Sequence, residues 1–179
     1  MKNKNIVNLV LASLFLAAAY VLPFITGQIR EIGNMLCPMH IPVILCGFVC
    51  GAPFGAVVGF IAPLLRSLTL GMPVLFPGAV SMSAELCVYG LLSGLLYKLL
   101  PKKNVFIYVS LLISMISGRL VWGFMQFCLL GFNTGKFPFS AFVAGAFTNA
   151  IPGIILQIVL IPVLVMVIEK ITEKNSKTI

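Results

Sequence analysis

The chain reads as an all-α membrane protein, a bundle of six transmembrane helices with both termini on the cytoplasmic side, and three observations predict it. First, 60% of its 179 residues are hydrophobic and 9% are charged, with a mean hydropathy of +1.13. That composition leaves too little polar surface to coat a soluble globule. Second, the apolar residues gather into six runs, most of them near the ~20 residues that cross a bilayer, with polar or Pro/Gly punctuation between them. Third, the lysines and arginines outside the runs fall mostly on one side. A membrane β-barrel is disfavoured, because the runs are continuously apolar and lack the alternation of lumen-facing and lipid-facing residues. Residues 1–179 are expected to form a single six-helix transmembrane domain.

The first run, residues 6–25, follows Lys2 and Lys4. A signal peptide would share that basic start and the alanines at Ala17, Ala18 and Ala19. The apolar stretch continues through Tyr20, Val21 and Leu22, longer than a signal core, so a retained span is expected. Residues 26–34 are the longest polar stretch outside the tails. Bracketed by Gly27 and Gly33, they suit either a hinged lid, with Gln28, Arg30, Glu31 and Asn34 reaching a bound molecule, or an ordinary solvated loop. The second and third runs, 35–50 and 54–70, are short, and Pro38 and Pro42 predict a kink in the second. The fourth and fifth runs span 78–100 and 105–131. The sixth, 139–168, contains Pro152 and Pro162, where kinks are again expected.

With both termini inside, Lys2, Lys4, Lys98, Lys102, Lys103, Lys170, Lys174 and Lys177 lie on the cytoplasmic side. Only Arg30 and Lys136 fall outside, while Arg66 and Arg119 lie within runs. This is the positive-inside asymmetry of a membrane protein, and it accounts for most of the net charge of +8. A nucleic-acid partner is excluded on the same grounds, since no soluble basic face with interleaved aromatics exists.

Arg119, Trp122 and Gln126, at i, i+3 and i+7, place a cation, an indole and an amide on one face of the fifth run. Such groups are costly in lipid and face a bundle interior or a water-filled path. At about 1.5 Å of rise per residue, Arg66, Glu85, Gln126 and His40 lie within about 10 Å of the outer ends of their runs. Arg119 and Asn149 come nearer the midplane, so the set forms a funnel open to the outside. Gln157 is the exception, on the inner side, and is assigned to helix packing.

Each of these residues has a second reading. Arg119 either pairs with Glu85 or contacts a ligand, and Trp122 is either an interfacial belt residue or a stacking wall for a planar ligand. Arg66 either lines the funnel or snorkels to the headgroups. His40 is a ligand contact or a structural histidine, and Glu85 shares a helical face with Ser81 and Tyr89 as a hydrogen-bonding stripe.

Small residues four apart, Ser13 and Ala17, Gly47 and Gly51, Gly55 and Gly59, and Gly90 and Gly94, allow close helix approach. Most are expected to serve packing within the bundle. The stretch from Gly131 to Lys136 is one residue too short for a phosphate loop and is followed by Phe137 in place of Ser or Thr. The single histidine and four acidic residues supply no catalytic set, so no enzyme is expected. The five cysteines contain no CxxC; Cys37, Pro38, Met39 and His40 bring soft ligands together, but small apolar packing is the reading kept for the thiols, with no metal or other cofactor.

Several of these features together carry a family resemblance. They are the six spans, Ser13 and Ala17 on an alanine-rich first helix, the polar loop from Gln28 to Asn34, the run Pro38-Met-His-Ile-Pro-Val43, and the third-run stretch from Gly55 to Arg66. On them the chain resembles the substrate-binding S component of an energy-coupling factor (ECF) transporter, a family of vitamin and micronutrient importers. The resemblance covers nearly the whole chain.

It implies high-affinity capture of a small vitamin-like substrate from outside, with the loop after the first helix closing over it. It also implies delivery powered by partners, a transmembrane coupling protein and two cytoplasmic ATPases, in the plasma membrane of a bacterium. Ser13 and Ala17 match the family's coupling contact, with Ser where the family usually has Ala. Arg66, Arg119 and His40 set against Glu85 favour a small anionic or polar ligand with some planar surface, held by Arg119 and packed on Trp122. The competing class is a stand-alone secondary carrier or channel, for which Glu85 is the one acid within a run.

Overall fold

The structure is a computed structural model that describes residues 2–25, 36–101, 103–130 and 150–176. The described residues are helical with no strand: α1 (Lys2–Ile25), α2 (His40–Cys50), α3 (Ala52–Leu70), α4 (Val80–Leu99), α5 (Asn104–Leu130) and α6 (Ile151–Ser176). A wide turn, Leu75–Ala79, leads into α4, with Phe76 extended at φ −121° and ψ 130°. Five helices are long and apolar enough to cross a membrane, and α2 is not. The expected lid residues Gln28 and Asn34, and Asn149, lie outside the described residues.

The second run departs most from its expectation. Cys37 takes a positive φ of 47°, so the helix begins only at His40 and has 11 residues, about 16 Å of rise, roughly half a bilayer core. All of its residues except Val49 are buried. It packs against α1, α3, α4 and α6. An apolar segment of this length suits a buried core helix better than a lipid-facing span, and α2 forms the centre of the bundle.

Glycines allow that centre to be tight. A Cβ on Gly47 would lie 2.5 Å from Gly90 O, one on Gly55 2.5 Å from Gly90 O, one on Gly59 2.2 Å from Leu86 O, and one on Gly94 2.4 Å from Ala52 N. Backbone meets backbone across α2, α3 and α4, the close approach that small residues permit in membranes. Gly51 acts through its backbone instead, since its φ of 97° turns the chain from α2 into α3.

The outer faces confirm which solvent the bundle requires. On α5, Val105, Tyr108, Leu112, Ile116, Leu120, Phe124 and Phe127 are exposed, while Ile107, Leu111, Met115, Gly118 and Arg119 face inward. On α1, Ala12 and Ala19 face the bundle, whereas Leu9, Val10, Leu14 and Val21 point away. Apolar stripes of this extent match lipid rather than water. Two contacts tie α1 down. Asn8 Nδ2 donates to Cys50 O at 3.2 Å near one end, and Arg66 Nη1 donates to Tyr20 O at 2.7 Å near the other.

Candidate functional site

The start of α4 carries Glu85 and Tyr89 one helical turn apart, on the face turned towards α2 and α5. Glu85 is 2% exposed and Arg119 7%. Arg119 Nη1 lies 3.0 Å from Glu85 Oε1, and the Tyr89 hydroxyl donates to the same oxygen at 3.1 Å. His40 Nε2 touches it at 3.5 Å, with the imidazole tilted against the Tyr89 ring at a centroid distance of 5.3 Å. Arg119 Nη2 donates to Cys37 Sγ at 3.4 Å. The left-handed turn at Cys37 is what brings that sulfur to the guanidinium at the entry to α2.

Gly118 makes room for this cluster. A Cβ there would come within 2.4 Å of Tyr89 Cε1, so the missing side chain on α5 leaves the slot into which the Tyr89 ring fits. The ring is fully buried. Five side chains from α2, its entry turn, α4 and α5 thus meet around one buried ion pair.

Glu85 and Arg119 neutralise one another in an apolar interior, where an unpaired charge is strongly disfavoured. Among the described residues, Arg119 Nε, His40 Nδ1 and, two turns further along α5, Gln126 Oε1 are buried without a hydrogen-bond partner. Buried polar atoms are normally hydrogen-bonded, to protein or to ordered water. Among the described residues, no three His, Cys, Asp or Glu side chains converge to hold a metal ion.

Of the residues singled out from the sequence, the structure joins Arg119, Glu85 and His40. The Arg119 to Glu85 pair is present. Trp122 and Gln126 follow Arg119 along the same helix and are half-buried. Arg66 is engaged elsewhere, by Tyr20 O and by the Phe24 ring 5.0 Å from its guanidinium carbon. Ser81 donates to Pro77 O at 2.8 Å and does not reach Glu85. Ser13 and Ala17 are exposed on the side of α1 that turns away from the bundle.

Two residues of the cluster, Cys37 and Tyr89, were not assigned to the site from sequence. Cys37 was read as a packing thiol, and its place before Pro38 in a tight turn was the available signal. Gln157, assigned from sequence to helix packing on the inner side, lies on α6. Gln157 is 1% exposed, and its Nε2 has no partner.

The bundle thus closes a buried polar cluster between α2, α4 and α5. The family model for the ECF transporter substrate-specific component matches residues 7–165, and the chain belongs to that family. It is a multi-pass membrane protein and a transport component, with a small-molecule substrate and the energy-coupling module as its partners. Comparisons with curated proteins and with solved structures return no match.

Proposed function

We propose that the protein is the high-affinity capture subunit of an ECF-type importer in the plasma membrane. It takes a vitamin or related micronutrient from outside and delivers it inward with energy from a transmembrane coupling protein and two cytoplasmic ATPases. The observation that carries this reading is the buried cluster of Glu85, Arg119, His40, Tyr89 and Cys37, with unpartnered polar atoms beside it. A buried ionic group in a membrane bundle is a functional site by default, and the family match to a substrate-specific transport component gives this one a binding role.

In this reading all six helical segments form one bundle with both termini inside, so the cluster lies towards the outer surface. Arg119, Glu85 and His40 form the floor of the site. Trp122, Gln126 and Asn149 line it, Gln28 and Asn34 close over it, and Arg66 supports the wall through α1. Ser13 and Ala17, exposed on α1, meet the coupling protein. The carrier alternative is weakened by Glu85 itself, because a carboxylate held by Arg119 is poorly placed to shuttle protons.

Mass spectrometry of small molecules released from the detergent-purified protein tests the reading, with wild type compared against Arg119→Ala. A vitamin-sized molecule retained by wild type and lost from the variant is the expected result. Wild-type protein that carries nothing after expression in vitamin-replete cells overturns it.

A further inference from the structure

We infer that the site binds an uncharged molecule with hydrogen-bond donors and acceptors along its edge, and that Gln157 is one of its contacts. The inference rests on the capture reading above and goes further in two respects, the charge of the ligand and the fourth polar side chain.

The charge follows from the pairing. Among the described residues, the ionic groups at the site are Glu85 and Arg119, and they are bonded to each other at 3.0 Å. An anion that took the guanidinium would leave the Glu85 carboxylate buried without its cation. A cation that took the carboxylate would strand Arg119. Either loss is among the costliest changes a buried site can undergo. Arg66, the other cation within a span, is occupied by Tyr20 O and the Phe24 ring. An uncharged ligand leaves the pair intact.

What remains to be satisfied is neutral hydrogen bonding. Among the described residues, the unmet groups are Arg119 Nε–H and the Gln157 Nε2 amide as donors, Gln126 Oε1 as an acceptor, and His40 Nδ1, the other nitrogen of that ring being turned to Glu85. His40 and Gln157 are each 1% exposed, so bulk water does not serve them. These groups come from α2, α5 and α6, and α6 packs against both of the others. Gln157 faces inward on α6 with Ile161 and Val165. As a residue serving packing alone, an amide with an unbonded nitrogen would be inferior to leucine. A heterocycle carrying ring nitrogens, amides or amino groups has the chemistry that these atoms lack.

The test uses the same extraction, applied to wild type, Gln157→Leu and, as control, Cys128→Ser, whose thiol is exposed. Monodisperse elution and a melting temperature within a few degrees of wild type establish folding, and Gln157→Met replaces the leucine variant if that one fails to fold. The expected result is a retained molecule with no net charge at pH 7, kept by Cys128→Ser and at least ten-fold depleted in Gln157→Leu. A retained molecule that is a carboxylate, phosphate or ammonium ion overturns the ligand class and leaves the capture reading standing. An uncharged molecule held equally by Gln157→Leu removes Gln157 from the site. An empty wild-type protein overturns the capture reading itself.

Discussion

At the scale of single residues, the site is organised by one carboxylate oxygen that Arg119, Tyr89 and His40 all approach. Removing one member of a buried ion pair costs about 3–5 kcal/mol, whereas replacing both with apolar side chains is often close to neutral. Arg119→Leu and Glu85→Leu should each lower the melting temperature in detergent sharply, and the double variant should recover most of that loss while still failing to retain a small molecule. A double variant whose loss equals the sum of the two single losses would show that the pair is not coupled. Gly118→Ala separates the packing role from the ionic one. Its Cβ displaces the Tyr89 ring, so it should destabilise by about 1–3 kcal/mol and weaken retention even though the Glu85 to Arg119 pair is untouched.

Between elements, the decisive contacts are backbone to backbone. A Cβ on Gly90 would sit 2.1 Å from Gly55 O, and neither helix has a side chain there that can yield. Gly90→Ala should therefore push α3 and α4 apart and cost more than Gly118→Ala, where a ring can rotate. Gly71 provides the contrast. Its φ is 70° and nothing lies within 4 Å of an added Cβ, so Gly71→Ala should cost only the left-handed strain, about 1–2 kcal/mol. Melting curves of the three alanine variants give the order directly. Asn8→Ala removes the tie to Cys50 O, and hydrogen bonds of this kind in membranes average about 0.6 kcal/mol, so a small loss of stability is expected.

For the whole molecule, the proposed function assigns separate purposes to the two sides of the bundle. The cluster is enclosed by α2, α4 and α5, while Ser13 and Ala17 lie on the outward side of α1. Ser13→Leu should leave folding and small-molecule retention intact, yet abolish most uptake in cells and reduce co-purification of the coupling protein and ATPases. Unchanged uptake would remove that face of α1 from coupling. Isolation of the wild type with no partner, even from cells that express the module, would favour a carrier acting alone.

The solvent of this chain was legible in its sequence, because runs of apolar residues and one-sided lysines are local properties that no tertiary contact alters. Family membership was legible too, through short motifs around Pro38 and Gly55. So was the list of costly polar residues within the spans, Arg119 and Glu85 first among them. Their partners were not legible. One-dimensional spacing gives the face of a helix but not its neighbour, so the ion pair stayed one of two readings, and Arg66 on α3, similar on paper, bonds instead to Tyr20 O of α1. The length of α2 depended on the backbone turn at Cys37, which composition does not report. The burial of Gln157 depended on how α6 packs against α2 and α5, contacts that one-dimensional spacing does not report. Propensity and hydropathy act along the chain; register, pairing and unmet hydrogen bonds exist only once the helices have packed.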